Sequence, residues 1–238
     1  MLVLDVGNSR ITIGVFQDRI LKDKFSIPTN RVGEICSISD IKPQKCLISS
    51  VVPEVNELLC ELLRAHFHVE PLIFDPLKNS PIKLKVDGFV GTDRVVNAFA
   101  ALKLIGAPVL SVDLGTATTF DLVDKNGEFV GGAISPGLRI SLDALTEATS
   151  QLPEIELELP DKLVGKSTEG AMRSGAFFGY ASLVDGLIQR FKMEEPSLKG
   201  VVLTGGLATF LSPILDPSHK LEPDLTLIGL SFIGEEIS

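Results

Sequence analysis

The residues of this chain best suited to chemistry come as one short pattern met twice. Asp5-Val6-Gly7-Asn8-Ser9 lies near the start, and Asp113-Leu114-Gly115-Thr116-Ala117-Thr118-Thr119 lies near the middle. Each follows an apolar run, Leu2-Val3-Leu4 or Leu110-Ser111-Val112, and each leads at once into a second β-prone run, Ile11–Phe16 or Thr119–Val123. That arrangement predicts two hairpins whose turns carry a carboxylate, a glycine and several hydroxyls or amides. Glycine lets the backbone turn tightly and approach a ligand; Asn, Ser and Thr supply donors; Asp can hold a cation through water. One Asp-x-Gly is an ordinary turn. Two copies, each ending a buried-looking strand, read as a pair of phosphate grips.

A third segment, Gly91-Thr92-Asp93-Arg94, opens the helical pattern Val95–Leu102. Asp93 is placed to cap that helix. Beside Arg94 it also has the makings of a proton acceptor for an alcohol, next to a planar fork for a carboxylate or phosphate, and a kinase needs both roles. Gly131-Gly132-Ala133-Ile134-Ser135-Pro136-Gly137 and Thr204-Gly205-Gly206-Leu207-Ala208 offer bare backbone where a strand gives way to a helix. The first suits an anion or sugar and the second a base or phosphate, unless both are only tight connections.

The elements that must position these residues can be read from period and punctuation. The first hairpin continues past an Asp18-Arg19 turn toward Phe25-Ser26-Ile27, making a three-strand meander. A short helix near Arg31–Ser37, a strand over Lys45–Val52 and a helix from Pro53 to about Phe67 follow, and a loop over Asn79–Val90 joins the halves. The second half repeats the plan: a helix from Thr92 to about Ile105, then strands at Pro108–Asp113, Thr118–Asp124 and Glu128–Ala133, the last two turned by Lys125-Asn126-Gly127. After them come helices at about Leu138–Thr146 and Thr168–Phe191, a strand at Gly200–Thr204 and a helix opening at Gly205. The expected fold is therefore α/β, in two pseudo-symmetric lobes spanning 1–90 and 91–238, with a ligand cleft between them. On the long helix Ala171, Gly175, Gly179, Ser182 and Gly186 recur every three or four residues, a face fit for close packing inside the chain or for a homodimer.

The whole-chain composition sets bounds on partners. A chain of 238 residues with 45% hydrophobic content builds one large or two modest cores. A net charge of −9 with no Lys/Arg run argues against nucleic acid or an anionic membrane surface as a partner, so phosphates must be held by amides, hydroxyls, a few Arg and metal ions. No apolar stretch reaches membrane length and the first residues enter a strand pattern with no signal segment, so the expected location is the cytoplasm. Cys36, Cys46 and Cys60 lack metal or disulfide spacing and are expected as reduced core residues; His66, His68 and His219 show no ligand pattern.

Taken together, Asp5–Ser9, Gly91–Arg94, Asp113–Thr119, Gly131–Gly137 and Thr204–Gly206 resemble, in order and approximate spacing, the motifs of type III pantothenate kinases. The resemblance spans nearly the whole chain. It implies the duplicated ribonuclease-H-like fold shared with acetate and sugar kinases, heat-shock proteins and actin. It further implies ATP-dependent phosphorylation of pantothenate to 4'-phosphopantothenate, the first step toward coenzyme A, with a divalent cation such as Mg2+ and a monovalent one, K+ or NH4+. By that resemblance Asp5, Val6, Gly7, Asn8, Ser9, Arg10, Ile11 and Thr12 wrap the ATP phosphates and Thr116 touches the nucleotide. Asp113 matches the monovalent-cation ligand, Asp93 the general base, and Gly91, Thr92, Asp93 and Arg94 the pantothenate-binding stretch. Thr168 matches a substrate contact supplied across a homodimer.

Two positions depart from the family pattern. Many members carry a Tyr before the Gly-x-Asp-Arg motif, where this chain reads Lys85-Val86-Asp87-Gly88-Phe89-Val90 with Val86 near the Tyr position. Many also carry a Lys where Thr12 stands, with Arg10 nearby as another source of charge. The alternative functions on this scaffold are a non-catalytic nucleotide-binding regulator and a kinase of another small alcohol.

Overall fold

The protein was described as a computed structural model covering residues 1–39 and 41–237. The first half opens on the expected meander, β1 (Leu2–Val6), β2 (Arg10–Gln17) and β3 (Ile20–Pro28). Asp18 and Arg19 form its second turn with φ of 51° and 65°, the left-handed pair that matches the twist of a two-residue hairpin. The expected helix near Arg31 is a 3-10 run, Thr29–Ser37, kinked at Arg31. Next come β4 (Cys46–Ser50), α1 (Pro53–Phe67), β5 (Pro71–Ile73), the single turn α2 (Pro76–Asn79) and α3 (Thr92–Ile105). Pro53 sits in the first turn of α1, where its missing N–H costs nothing, and His68 ends the helix in the left-handed conformation, donating its N–H to the Arg64 carbonyl.

The second half repeats the order with β6 (Val109–Leu114), β7 (Ala117–Val123), β8 (Phe129–Pro136), α4 (Leu138–Glu147), α5 (Thr168–Glu194), β9 (Gly200–Thr204), α6 (Ala208–Leu211), β10 (Lys220–Leu221) and α7 (Leu225–Glu236). The two sheets have one plan. Strand order is β3-β2-β1-β4-β5 in the first and β8-β7-β6-β9-β10 in the second, so the opening strand of each half is central. That strand pairs antiparallel with its hairpin partner on one side and parallel with β4 or β9 on the other. Central position explains the unbroken apolar runs: Leu2, Val3, Leu4 and Val6 in β1, and Val109, Leu110, Val112 and Leu114 in β6, are fully buried. This mixed α/β duplication agrees with the fold expected from the sequence.

Residues group into two compact units that are discontinuous in sequence, 1–104 with 127–130 and 224–238, and 105–126 with 131–223. Helices α3 and α7, both beyond the boundary expected at residue 90, are thus grouped with the first sheet. Within that unit α3 buries Val95, Val96, Phe99 and Ala100, and α7 approaches so closely at Gly229 that a Cβ there would lie 2.6 Å from the Val96 carbonyl. The Thr226 hydroxyl donates to Asn97 Oδ1 at 2.8 Å, which satisfies the amide oxygen of a residue only 1% exposed. Leu225, Leu227, Leu230 and Ile233 are also buried on α7, Leu227 beside Gly14 of β2, and truncating any of them to Ala is worth roughly 2–5 kcal/mol.

In the second unit α5 buries Phe177, Val184 and Ile188 beside Leu110, Val112 and Phe120 of the sheet. Among the described residues no helix is long and apolar enough to cross a membrane. Cys46 and Cys60 lie in the core as expected, and burial pushes the Cys46 thiol up to about 12. Cys36 does not: it is exposed on the 3-10 run, which is too short and kinked for a period to mark its outward face.

Candidate active site

The first hairpin turn closes on itself. Gly7 N–H donates to the Arg10 carbonyl at 3.0 Å, and Thr29 clamps the turn from outside, its hydroxyl donating to Gly7 O at 2.7 Å and its N–H to Ser9 O at 3.2 Å. The loop so held exposes Asn8, Ser9 and Arg10, buries Val6 and Ile11, and leaves Asp5, Gly7 and Thr12 half-buried. Arg10 Nε donates to Ser26 Oγ at 2.7 Å, so β3 steadies the guanidinium. Donors fixed before a ligand arrives need no further ordering on binding, which is what a phosphate grip requires.

Sheet register then ties this loop to the third motif. Asp5 lies beside Thr12 in β2 and beside Ser49 in β4. Ser49 Oγ donates to Thr92 Oγ1 at 2.9 Å, and the Thr92 hydroxyl in turn donates to the Ser50 carbonyl at 3.2 Å. The first turn of α3 is thereby stitched to the sheet at the level of Asp5, and the next residue is Asp93. Asp93 Oδ1 accepts the Arg94 N–H at 2.9 Å, and a Cβ on Gly91 would stand 2.6 Å from that same oxygen. Burial raises the Asp93 carboxyl above the ordinary carboxylate range, with the Arg94 N–H and charge pulling the other way. The Arg94 guanidinium carbon stands 5.8 Å over the centre of the Phe129 ring.

The second unit gathers its own three motifs at the end of β6. Asp113 lies beside Thr119 in β7 and Thr204 in β9, the same hydroxyl-flanked position that Asp5 holds between Thr12 and Ser49. Gly115 N–H donates to Ala117 O at 3.2 Å, Gly137 N–H to Thr116 O at 3.1 Å and Leu207 N–H to Leu114 O at 3.1 Å. Glycine is required at two of these contacts: a Cβ would lie 2.4 Å from the Gly115 carbonyl at Gly137, and 2.3 Å from Asp113 Oδ1 at Gly205, where φ is +95°. The Gly131–Gly137 and Thr204–Gly206 segments are therefore close partners of the hairpin. Thr116 is exposed at its tip, and the buried Thr118 hydroxyl is bonded to that of Tyr180.

This doubled Asp, with hydroxyls on both neighbouring strands, meets matching similarity over the whole chain. The family model of type III pantothenate kinase matches residues 1–190. The chain belongs to the type III pantothenate kinase family. A type III pantothenate kinase of Roseiflexus sp. (strain RS-1) is 38% identical over 250 residues, covering 99% of this chain and 98% of the relative. Among solved structures, a Campylobacter jejuni protein described as a Baf family transcriptional activator gives a TM-score of 0.68 at 20% identity, over 99% of this chain and 98% of that one. An activator of 2-hydroxyisocaproyl-CoA dehydratase from Clostridium difficile, with bound ADPNP, gives 0.56 at 12% identity, over 99% and 95%. At such identities both structures speak for the fold alone, and that fold is the actin-like ATPase one.

As a type III pantothenate kinase the chain is a phosphotransferase that uses ATP with a divalent cation, and its donor set fits that pair of ligands. Among the described residues no three His, Cys, Asp or Glu side chains gather as a metal cage. Thr168 lies on α5 and not on the second hairpin. It is exposed in the first turn of α5, behind the Ser167 cap, and lies about 18 Å along the helix from the Tyr180 that touches the second hairpin.

Sequence reasoning missed Thr29, Ser49 and Tyr180. Ser49-Ser50 ends a buried strand as the two Asp motifs do, and Tyr180 is the chain's single tyrosine, so both left a signal; Thr29 left none.

Proposed function

We propose that this chain transfers the γ-phosphoryl group of ATP to the primary hydroxyl of pantothenate, giving 4'-phosphopantothenate and ADP, the first step toward coenzyme A. The observation that carries this reading is the path from Asp5 to its strand neighbour Ser49, and through the Ser49–Thr92 hydrogen bond to Asp93, which ties a phosphate-gripping turn to a carboxylate able to take a proton from an alcohol. ATP with its divalent cation supplies the phosphoryl group and neutralises charge as that group moves. In this reading the chain's own residues position. Asp5 to Thr12 cradle the phosphates, Thr116 meets the nucleotide, and Asp93 accepts the hydroxyl proton as the new O–P bond forms and the bond to ADP breaks. Gly91 to Arg94 hold the acid substrate, Arg94 offering its fork to the carboxylate.

Asp113 is the residue we assign to a monovalent cation, K+ or NH4+; its crowding by Gly115 and Gly205 favours a carboxylate held at one fixed point. The exposed face of Ala171, Gly175, Gly179, Ser182 and Gly186 on α5 supports a homodimer in which Thr168 serves the partner's substrate. The unpaired cysteines fit the reducing cytoplasm.

The deciding experiment is ATP consumption by the purified protein with Mg2+, with and without pantothenate, in potassium and in sodium buffer. The expected result is turnover that needs pantothenate and is stronger in potassium. Turnover with a different small alcohol only, or nucleotide binding without turnover, would overturn the substrate or the catalytic reading respectively.

A further inference from the structure

Residues 127–130 are grouped with the first sheet although the chain on both sides of them belongs to the second unit. The reason is a set of contacts made by Glu128 and Phe129. Phe129 pairs with Leu84 as an isolated parallel bridge: Lys85 N–H donates to Phe129 O at 2.8 Å, and Phe129 N–H donates to Lys83 O at 2.9 Å. The Glu128 carboxylate accepts from Lys83 Nζ at 2.8 Å and is also paired with Lys85. The Phe129 side chain is fully buried, and its ring lies beneath the Arg94 guanidinium. Two adjacent residues thus hold both the loop that leads into Gly91 and the arginine that follows Asp93.

We propose that Phe129 and Glu128 are positioning residues for the acid substrate; the inference rests on the assignment of Gly91 to Arg94 to pantothenate. Residues 80–90 hold only the bridge at Leu84 in the way of regular structure, so without an anchor they would lose conformational freedom each time substrate bound. The clamp at Lys83–Lys85 and the helix start at Thr92 fix both ends of the arc 86–91. The ring under Arg94 restrains a long side chain whose fork recognises a carboxylate only in one plane. Phe129 acts through Arg94 and touches no reacting atom.

The test is a double-mutant cycle on Arg94 with the full-length enzyme, scored separately for each substrate. Phe129→Leu keeps an apolar side chain and removes the ring face; it is expected to raise KM for pantothenate about tenfold, with KM for ATP unchanged and kcat within about threefold. In an Arg94→Ala background the same change is expected to do nothing further to KM for pantothenate. An unchanged KM, an equal rise in KM for ATP, or full additivity with Arg94→Ala overturns the proposal. Should Phe129→Leu fail to fold, Glu128→Gln decides, with a rise of about two- to threefold in KM for pantothenate alone expected and no rise overturning it. Hydrogen exchange without substrate separates the two layers. Faster exchange of the Lys85 amide in Glu128→Gln is expected, and no change removes the clamp; a clamp present in an enzyme that ignores pantothenate removes only the substrate reading.

Discussion

As the proposed general base Asp93 must stay a carboxylate to take a proton, yet burial on folding opposes its charge. Its desolvation is the larger effect and the Arg94 N–H and guanidinium only partly offset it. For an acid raised above its unfolded value, the folded state binds the proton more tightly, so Asp93 costs stability as pH rises through its raised value and costs none below the unfolded value. Two results follow for Asp93→Asn, in which the amide oxygen can still accept the Arg94 N–H. Turnover should fall by about 10²- to 10⁴-fold, the scale of a lost general base. The melting temperature at neutral pH should be equal to or above that of the parent, with the difference vanishing in acid, and a clear loss of stability at neutral pH would contradict the account. The acid limb of kcat/KM should lie above the ordinary carboxylate range, and Arg94→Gln, which removes the helpful charge, should move that limb to higher pH. A limb that stays in place or moves down would mean Asp93 is not the group titrating.

At the scale of elements, the proposed chemistry rests on strands whose ends carry hydroxyls and on glycines that let three segments crowd one carboxylate. Gly205 is the most demanding position, since an added Cβ meets Asp113 Oδ1 at 2.3 Å and Leu114 N at 2.6 Å at a left-handed φ. Gly205→Ala should therefore destabilise by more than about 1 kcal/mol and displace Asp113, measured as a lower melting midpoint together with a blunted response to potassium. Asp113→Ala should blunt potassium alone; an unchanged potassium dependence in both would remove Asp113 as the cation ligand. The hairpins themselves were legible because β2 and β7 alternate and are preceded by turn residues, so the Asp-Gly pairs could be placed at strand ends, where the structure has them. What could not be read was register: nothing in the order of residues says that Ser49 lies beside Asp5, or Thr204 beside Asp113. Helix α7 escaped because it is apolar on nearly every side and so lacks a helical period, while β5 and β10 are too short to show alternation. The expected helix at Gly205 shrank to the single turn Ala208–Leu211 because Gly205 turns the chain and Pro213 stops it.

At the scale of the whole molecule, the proposed site of an acidic chain holds phosphates with glycine backbone and hydroxyls rather than with lysine. The long helix α5 spends glycine differently. Gly175, Gly179 and Gly186 each cost about 1 kcal/mol relative to Ala in a helix, yet an added Cβ at any of them would meet nothing within 4 Å inside the chain. Packing in one copy therefore gives no reason for them, whereas the homodimer proposed above would bring a second backbone close to this face. The prediction is that the parent chain dimerises in light scattering at micromolar concentration and that Gly179→Leu leaves a folded chain, with equal or greater thermal stability of the single copy, that does not. If Thr168 serves the partner's substrate, the same variant should also raise KM for pantothenate while sparing nucleotide affinity, and Thr168→Ala should reproduce that rise without dissociating the dimer. A Gly179→Leu protein that still dimerises would move the interface off α5. One that is monomeric with unchanged KM would keep the interface and return Thr168 to a purely structural role at the start of its helix.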